Sequence, residues 1–361
     1  MRLIRSLIVA PALVGLLCAA PANSYKISAL GRFHERMTVL AERCLATSQI
    51  PTKCALPSSR RAFKAVPYRE GRFWSASRWS DDPTRQSTSP GLFKFLVNVG
   101  IDNCAGYIND VNDYPGVLCN GHYGTMQFLH SMASVAPGET VDSAAPEPFE
   151  ETREKVLGWT EFAYGIATDV PLTDPYCASV RKLGAAGTAL APARFPYCGQ
   201  WSAGSLFGFR CGHPLTSTTC ETDIPEGEIR RAAMGALLHM IQDSYSRSHT
   251  GRGEDIPLGP YKDPNGRVPA AQVRCQPIQA FYRYTMKQKK AHGVADKAPE
   301  FSSDCAGAAV MDPITAGARM IWLVDNKCDA SWARNLIAEG VIAGRPAPIP
   351  RNAPACQAPV A

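Results

Sequence analysis

Apolar residues recur at helical spacing along most of this chain, and the clearest example runs from residue 226 to 246. There Ile229, Ala233, Leu237 and Ile241 fall on one face of a helix. Similar periodicity predicts helices at 28–48, 121–134, 149–168 and 276–296, and at 307–341 with a break. No stretch shows the convincing alternation of apolar and polar residues that indicates a strand. The pattern therefore predicts a mainly α-helical protein.

Three segments lack this periodicity. Residues 51–90 are rich in Pro, Ser and Arg and are predicted to be irregular. Residues 170–225 form a Gly- and Cys-rich insertion, and residues 345–361 form a Pro/Ala-rich tail that Cys356 can tie down. The length of 361 residues is compatible with one large domain or two ordinary ones. The organisation we expect is a single multi-helix domain at 25–344, with long disulfide-tied loops.

The first 24 residues have the features of a secretory signal peptide. Arg2 and Arg5 precede a mostly apolar stretch at 7–17, and small residues at 20–24 offer two cleavage sites. A lipoprotein anchor at Cys18 is disfavoured, because the preceding Leu17 fits a lipobox poorly. We therefore expect a secreted or periplasmic protein.

Cysteine content and charge agree with export. Of 13 Cys, Cys18 leaves with the signal peptide and 12 remain, an even number that indicates disulfides of undetermined pairing. No Cys-x2-Cys pair is present, which argues against a zinc–thiolate site. Loss of Arg2 and Arg5 lowers the formal charge from +6 to +4, too little to indicate a nucleic-acid partner.

The long central helix carries the first candidate chemistry. His239 and Asp243 are four residues apart, so their side chains lie about 40° apart on one helical face. His249 follows a serine-rich run that favours the end of the helix, and it can turn back towards them. His-x3-Asp-x5-His thus offers three ligands suited to zinc. The alternative is a buried histidine hydrogen-bonded to its aspartate, with His249 merely on a loop.

The remaining histidines favour the metal interpretation. His292 and Asp296 repeat the His-x3-Asp spacing, and His34 and His122 lie near the starts of two other predicted helices. His130 is interpreted as a core histidine in preference to a partner of the metal ligands. His213, in the Cys-rich insertion, is interpreted as structural or exposed.

These residues resemble a known family. His239-x3-Asp243-x5-His249 is similar to the signature of zinc-dependent bacterial phospholipases C and single-strand-specific zinc nucleases, which share a mostly helical fold. The local form around Ser244 and Ser246 resembles a divergent bacterial branch of that superfamily. The resemblance implies a cluster of about three Zn²⁺ per chain, in which Asp243 bridges two ions. The ligands that it implies are Tyr25, His34, Asp110, His122, His239, Asp243, His249, His292 and Asp296.

Two of these assignments leave an alternative open. The upstream aspartate best matches Asp110, with Asp113 as the alternative, and Asp110 is also the expected catalytic residue that orients or deprotonates water. The family uses an amino-terminal tryptophan, which is missing here, so Tyr25 or Asn23 would have to take its place. Gln242, Ser244 and Ser246 are candidates for fixing the histidine tautomers.

The resemblance implies hydrolysis of phosphodiesters, with phospholipase C as the preferred activity. The expected substrates are phospholipids or other phosphodiesters. The protein is expected to be a monomer that contacts membrane surfaces peripherally. The apolar segment at 201–209, with Phe207 and Phe209, can form a lipid-facing rim, or else the small core of the insertion. A single-strand-specific nuclease and a non-catalytic, zinc-stabilised protein are the alternatives.

Overall fold

The structure is a computed structural model. It describes residues 32–45, 49–81, 121–134, 147–168, 207, 210–211, 220–221, 225–253, 272–284, 299–307, 311–350 and 356. Of the described residues, 56% are helical and 6% lie in strands, which confirms the predicted mainly α-helical class. The signal-peptide prediction at 1–24 falls outside these residues.

Six α-helices form the described part of the fold. They are α1 (Phe33–Cys44), α2 (Arg60–Ala65), α3 (Phe149–Ala167), α4 (Glu226–Asp243), α5 (Pro313–Asp325) and α6 (Ala330–Asn335). A π-helical segment, Leu336–Ile342, continues α6. Short 3₁₀ turns cover Ala76–Arg78, Gln127–His130 and Ser303–Ala306.

Helix α4 lies at the centre of this arrangement. It packs against α1, α3 and α5 and against the 3₁₀ turns Ala76–Arg78 and Gln127–His130. Almost every residue from Ile229 to Asp243 is buried, since other elements cover the helix on several sides. Gly235 permits the closest approach, because a Cβ atom there would lie 2.1 Å from the carbonyl oxygen of Ala76. The Ala76–Arg78 turn is therefore held directly against α4.

The remaining secondary structure consists of short strands, which the sequence pattern did not predict. Strand β3 (Thr250–Arg252) pairs antiparallel with β5 (Ile278–Phe281). Strands β1 (Arg210–Cys211) and β2 (Cys220–Glu221) pair antiparallel, and β4 (Gln272–Val273) pairs in parallel with β6 (Glu300–Phe301). Pairs of two to four residues are too short to produce a recognisable alternation.

Three element predictions need correction. The helix predicted at 276–296 is wrong at its start, because Ile278–Phe281 forms β5. Residues 285–296 of this predicted helix lie outside the described part of the chain. The predicted helix at 121–134 contains the separate 3₁₀ turn Gln127–His130. Residues 51–90 are not wholly irregular, because Ser59 caps α2 by accepting a hydrogen bond from the Ala62 amide. The predicted break within 307–341 is confirmed between α5 and α6.

Three disulfides tie the described elements together: Cys44–Cys54, Cys275–Cys305 and Cys328–Cys356. The last one fixes the carboxyl-terminal tail to the loop between α5 and α6, as the position of Cys356 predicted. Disulfides indicate an extracellular or otherwise oxidising compartment. In the described ranges, no helix combines the length and the apolar character needed to span a membrane.

Candidate metal centre

Six buried side chains converge in the interior, and together they form three overlapping groups, each of which could hold a metal ion. In every group the possible ligand atoms lie within 4.8 Å of one another. The groups are His34–Asp81–His239, Asp81–His122–His130 and His130–His239–Asp243. We refer to these six residues as the His/Asp cluster.

Four separate stretches of chain build the cluster. Helix α4 supplies His239 and Asp243 one turn apart, with Nε2 of His239 2.9 Å from Oδ2 of Asp243. His34 lies in the first turn of α1, and Asp81 follows the Ala76–Arg78 turn. His130 ends the Gln127–His130 turn, and His122 precedes that turn. Because these segments all pack against α4, the helix brings distant residues to one point.

The orientation of His239 is set by a backbone carbonyl. Its Nδ1 lies 2.8 Å from the oxygen of Ser77, so Nδ1–H donates, and in the neutral imidazole that binds a metal ion the lone pair would lie on Nε2. That Nε2 faces Asp243, and Oδ1 of Asp81 lies 3.7 Å away. A neutral imidazole with a fixed outer nitrogen is the usual form of a metal-binding histidine.

His34 is oriented in the same way by a side-chain amide. Its Nδ1 lies 2.8 Å from Oε1 of Gln242, and Nε2 of Gln242 donates to Oγ1 of Thr38 at 3.0 Å. With the amide oxygen of Gln242 facing His34, Nδ1–H of His34 donates to it. Nε2 of His34 then lies 3.5 Å from Oδ1 of Asp243. Of the three polar residues proposed to orient the ligands, Gln242 has this contact.

Asp81 brings a second carboxylate into the cluster. Its Oδ1 lies 3.4 Å from Nε2 of His122, and its Oδ2 lies 4.0 Å from Nε2 of His34. Both oxygens of Asp81 and Oδ1 of Asp243 are buried without a hydrogen-bond partner. A buried carboxylate without such partners is costly, and a bound cation would remove that cost. The donor set therefore fits a metal ion.

His130 lies inside the cluster and contacts both residues of the helical pair. Its Nδ1 lies 2.7 Å from Oδ2 of Asp243 and 3.1 Å from Nε2 of His239. Its Nε2 is buried without a hydrogen-bond partner. The interpretation of His130 as an ordinary core histidine is therefore wrong, although it is fully buried.

His249 lies at the edge of the cluster. The chain turns after α4 through Ser246, whose carbonyl accepts hydrogen bonds from the amides of His249 and Thr250. Nδ1 of His249 lies 2.7 Å from the carbonyl oxygen of His130 and 3.5 Å from Oδ2 of Asp243. Because Nδ1–H donates to the carbonyl, the lone pair of His249 lies on Nε2. His249 thus contacts the cluster through Nδ1 and lies beside the three groups defined above.

Burial and mutual charge shift the pKa values of the cluster in opposite directions. Burial raises the pKa of Asp243 to about 7, in spite of the neighbouring His239. Burial alone would lower the pKa of His239, but Asp243 and Asp81 outweigh it and raise the value to about 9. Burial would raise the pKa of Asp81, yet His239, His122 and His34 lower it. Such strong perturbation is typical of functional sites.

His130 is shifted differently from His239. Burial and the neighbouring histidines, His122 first among them, hold its pKa well below the usual range. His130 is therefore neutral at physiological pH, the state in which an imidazole can bind a metal ion.

The structure brings together most of the described residues that the sequence proposed as ligands. His34, His122, His239 and Asp243 belong to the cluster, and His249 contacts it. The proposed ligands Tyr25, Asp110, His292 and Asp296 lie outside the described residues, as do Asp113 and His213. Their part in the site stays a prediction.

Sequence reasoning missed Asp81 as well as the role of His130. Asp81 lies 41 residues before His122, whereas the expected spacing was about a dozen residues. It also follows Trp79 and Ser80 in a stretch that was interpreted as irregular. Those two residues are fully buried beside it, and a tryptophan within a polar stretch was the available indication of a buried segment.

The chemistry of the cluster is that of a metal centre with nitrogen and oxygen ligands. Imidazole and carboxylate groups suit zinc and other first-row transition ions. Comparisons with models of protein families, with curated proteins and with solved structures give no match to this chain.

Proposed function

We propose that the protein is a zinc-dependent phosphodiester hydrolase. The observation that carries the proposal is the convergence of four histidines and two aspartates in one buried cluster, in which three of the four carboxylate oxygens lack a hydrogen-bond partner. A structural zinc site needs four ligands, usually including cysteine. A cluster of six ligating side chains, with His249 beside it, is better suited to more than one ion.

The protein residues contribute fixed geometry to this reaction. Ser77 and Gln242 hold Nδ1 of His239 and His34, so both rings present Nε2 to the interior. Oδ1 of Asp243 faces His34, whereas Oδ2 faces His239 and His130, so both oxygens would be available to hold metal ions. Bound zinc would lower the pKa of water to about 7 and offset the negative charge of a phosphodiester.

Asp81 is a second candidate for the role that the sequence assigned to Asp110, which lies outside the described residues. It is a buried carboxylate beside His122, and its pKa is lowered, so it is ionised at neutral pH. An ionised carboxylate next to the metal ligands can orient a water molecule and accept its proton. Asp81 is therefore our candidate for the residue that positions the attacking water.

The proposed substrate class is phosphatidylcholine-type lipid, cleaved by phospholipase C chemistry to diacylglycerol and a phosphorylated headgroup. This preference comes from the family resemblance. Phe207 gives it no support, because its ring is buried against Trp79 and Trp159 at 4.8 and 5.7 Å between centroids. The other aromatic residues of the 201–209 segment lie outside the described residues.

A comparison of three substrates tests the proposal. Phosphatidylcholine vesicles, a soluble phosphocholine ester and single-stranded RNA are assayed side by side, with product analysis. We expect diacylglycerol and phosphocholine from the vesicles, and loss of at least about 100-fold in rate in Asp81→Asn, the scale of one acid–base group. Asp329→Asn, at the cap of α6, is the matched control and should keep full activity.

The outcomes separate the possible functions. RNA cleavage with intact lipid would identify the nuclease alternative within the same metal chemistry. If a zinc-loaded protein hydrolyses none of the three substrates, that result would contradict the enzymatic proposal and favour the zinc-stabilised, non-catalytic alternative.

A further inference from the structure

A concave site separate from the His/Asp cluster lies along the amino-terminal half of α4. Its volume is about 600 Å³, within the size range of small-ligand pockets. Residues Gly227, Arg230, Arg231 and Met234 line it at one-turn spacing along one face of α4. The segment 71–75 and the carboxyl-terminal ends of α3 and α5 complete the lining. We call this site the α4 groove.

The groove is distinct from the His/Asp cluster. His239 lies eight residues after Arg231, about 12 Å along the axis of α4 and about 80° around it. The segment that lines the groove at Gly71–Ser75 reaches the cluster only later, at Ser77 and Asp81. Two separate faces of α4 therefore serve the two sites.

The lining of the groove is strongly cationic. Arg72, Arg230, Arg231 and Lys327 contribute positive charge, and Asp325 is the single carboxylate among the described residues that line the groove. Arg72 forms a bidentate pair with Asp325, at 2.9 and 2.6 Å, which fixes its guanidinium. Arg230 pairs with Glu226 one turn earlier on α4. The charge of the lining favours an anionic ligand.

Arg231 is the cation best placed to bind that ligand. Its side chain is exposed, and it forms no ion pair within the described ranges. Arginine presents planar, paired N–H donors that match the oxygens of a phosphate group. A phosphate group in the groove would lie beside two successive arginines of α4.

The other half of the groove is apolar. Phe73 and Met234 form a buried floor, Val324 adds an aliphatic surface, and Trp74 presents a half-buried ring. The guanidinium of Arg72 lies 5.0 Å from the centroid of the Phe73 ring, so the cationic and apolar parts adjoin. A ligand that fills both parts needs an anionic end and a flat apolar body.

We infer that the α4 groove binds a small organic phosphomonoester with a flat body, its phosphate at Arg231 and its body against Trp74. A bare anion would leave the apolar floor unused. A phosphocholine headgroup would bring a positive charge next to four cations. This site goes beyond the phosphodiesterase proposal and does not depend on it.

Titration calorimetry on the full protein tests the inference, with adenosine monophosphate as the probe and glycerol phosphate as a phosphomonoester without a ring. Arg231→Gln should weaken binding of adenosine monophosphate about tenfold, the loss expected for one charge-assisted contact. Trp74→Leu should weaken the binding of adenosine monophosphate but leave the affinity for glycerol phosphate unchanged. Arg61→Gln, an exposed arginine on α2, is the matched control and should bind as the wild type does.

Two kinds of result would overturn the inference. The first is unchanged affinity for adenosine monophosphate in either Arg231→Gln or Trp74→Leu, which would place the nucleotide elsewhere, including at the metal centre. The second is binding of anionic phosphatidylglycerol vesicles or of single-stranded RNA without any binding of adenosine monophosphate. Both substituted side chains lie at the surface of the groove, and unchanged melting temperatures would show that the variants fold.

Discussion

The imidazole rings of His34 and His239 stack on each other, with 3.8 Å between centroids and 23° between planes. His34 lies in the first turn of α1 and His239 lies in the second half of α4, so the stacked pair joins two helices that are distant in sequence. Each ring is held at Nδ1 by an outer acceptor, and each directs Nε2 towards a different oxygen of Asp243. This relationship makes Asp243 the geometric link between two possible metal positions.

Replacement of Asp243 should therefore affect more than one metal ion. In Asp243→Ala we expect the loss of more than one zinc per chain, because each carboxylate oxygen faces a different histidine. His122→Ala should lose fewer ions, since Nε2 of His122 faces Asp81, at 3.4 Å from Oδ1, rather than Asp243. Metal analysis by mass spectrometry of the purified variants checks this. Equal metal loss in both variants would argue against a bridging role.

Gln242 should control metal affinity without binding the metal. Gln242→Leu removes the acceptor for Nδ1 of His34, and loss of such an orienting contact typically weakens metal binding by about 10–100-fold. Gln242→Glu keeps an acceptor, and the Thr38 hydroxyl can donate to it, so affinity should be largely retained. Competition with a chromogenic chelator measures both variants. Wild-type affinity in the leucine variant would show that the contact is dispensable.

Removal of the metal should destabilise the fold. The carboxylates of Asp81 and Asp243 are completely buried, and a bound cation stabilises the folded state in which they meet. We expect chelation to lower the melting temperature by about 5 °C or more, as calorimetry would show. Zinc should restore it, whereas calcium, which prefers oxygen ligands, should not. If the melting temperature does not change on addition of chelator, the metal does not stabilise the fold and this prediction is contradicted.

Gly235 should be essential for the approach of the Ala76–Arg78 turn to α4. In Gly235→Ala the new Cβ atom would lie 2.1 Å from the Ala76 carbonyl oxygen, so the turn must shift. Overpacking of this kind costs about 1–3 kcal/mol, and here it also displaces Ser77, which orients His239. The control is Gly227→Ala, where no atom lies within 4 Å of the new Cβ and helix propensity favours alanine. Denaturant unfolding and metal content should both separate the two variants.

The sequence predicted those parts of the site that lie on a regular element. His239 and Asp243 share one face of α4, and their proximity follows from helical geometry alone. Asp81 could not be predicted in this way, because it reaches the cluster through a non-repetitive turn that is positioned by a contact with Gly235. His130 was interpreted as a core histidine for a related reason. Its apolar sequence neighbours indicate burial, and a histidine that packs in a core is as buried as one that faces a carboxylate.

The same limit applies to the fold. The apolar periodicity of α3, α4 and α5 was sufficient to predict them as helices, whereas the residues at 278–281 were assigned to a helix. Ile278 and Phe281 are buried, and this three-residue spacing suits a helix as well as an irregular strand. Pairing with β3 decides the outcome, and a bulge between Gly251 and Arg252 breaks the strict alternation that would have indicated a strand.

The central claim is that the His/Asp cluster holds zinc in the active protein. Its most direct test is the zinc content per chain of purified wild-type protein and of Asp81→Asn, measured together with hydrolysis of a phosphocholine ester. The account predicts about two to three zinc ions in the active wild type, with fewer ions and lost activity in Asp81→Asn. An active wild-type protein that contains no zinc would contradict it.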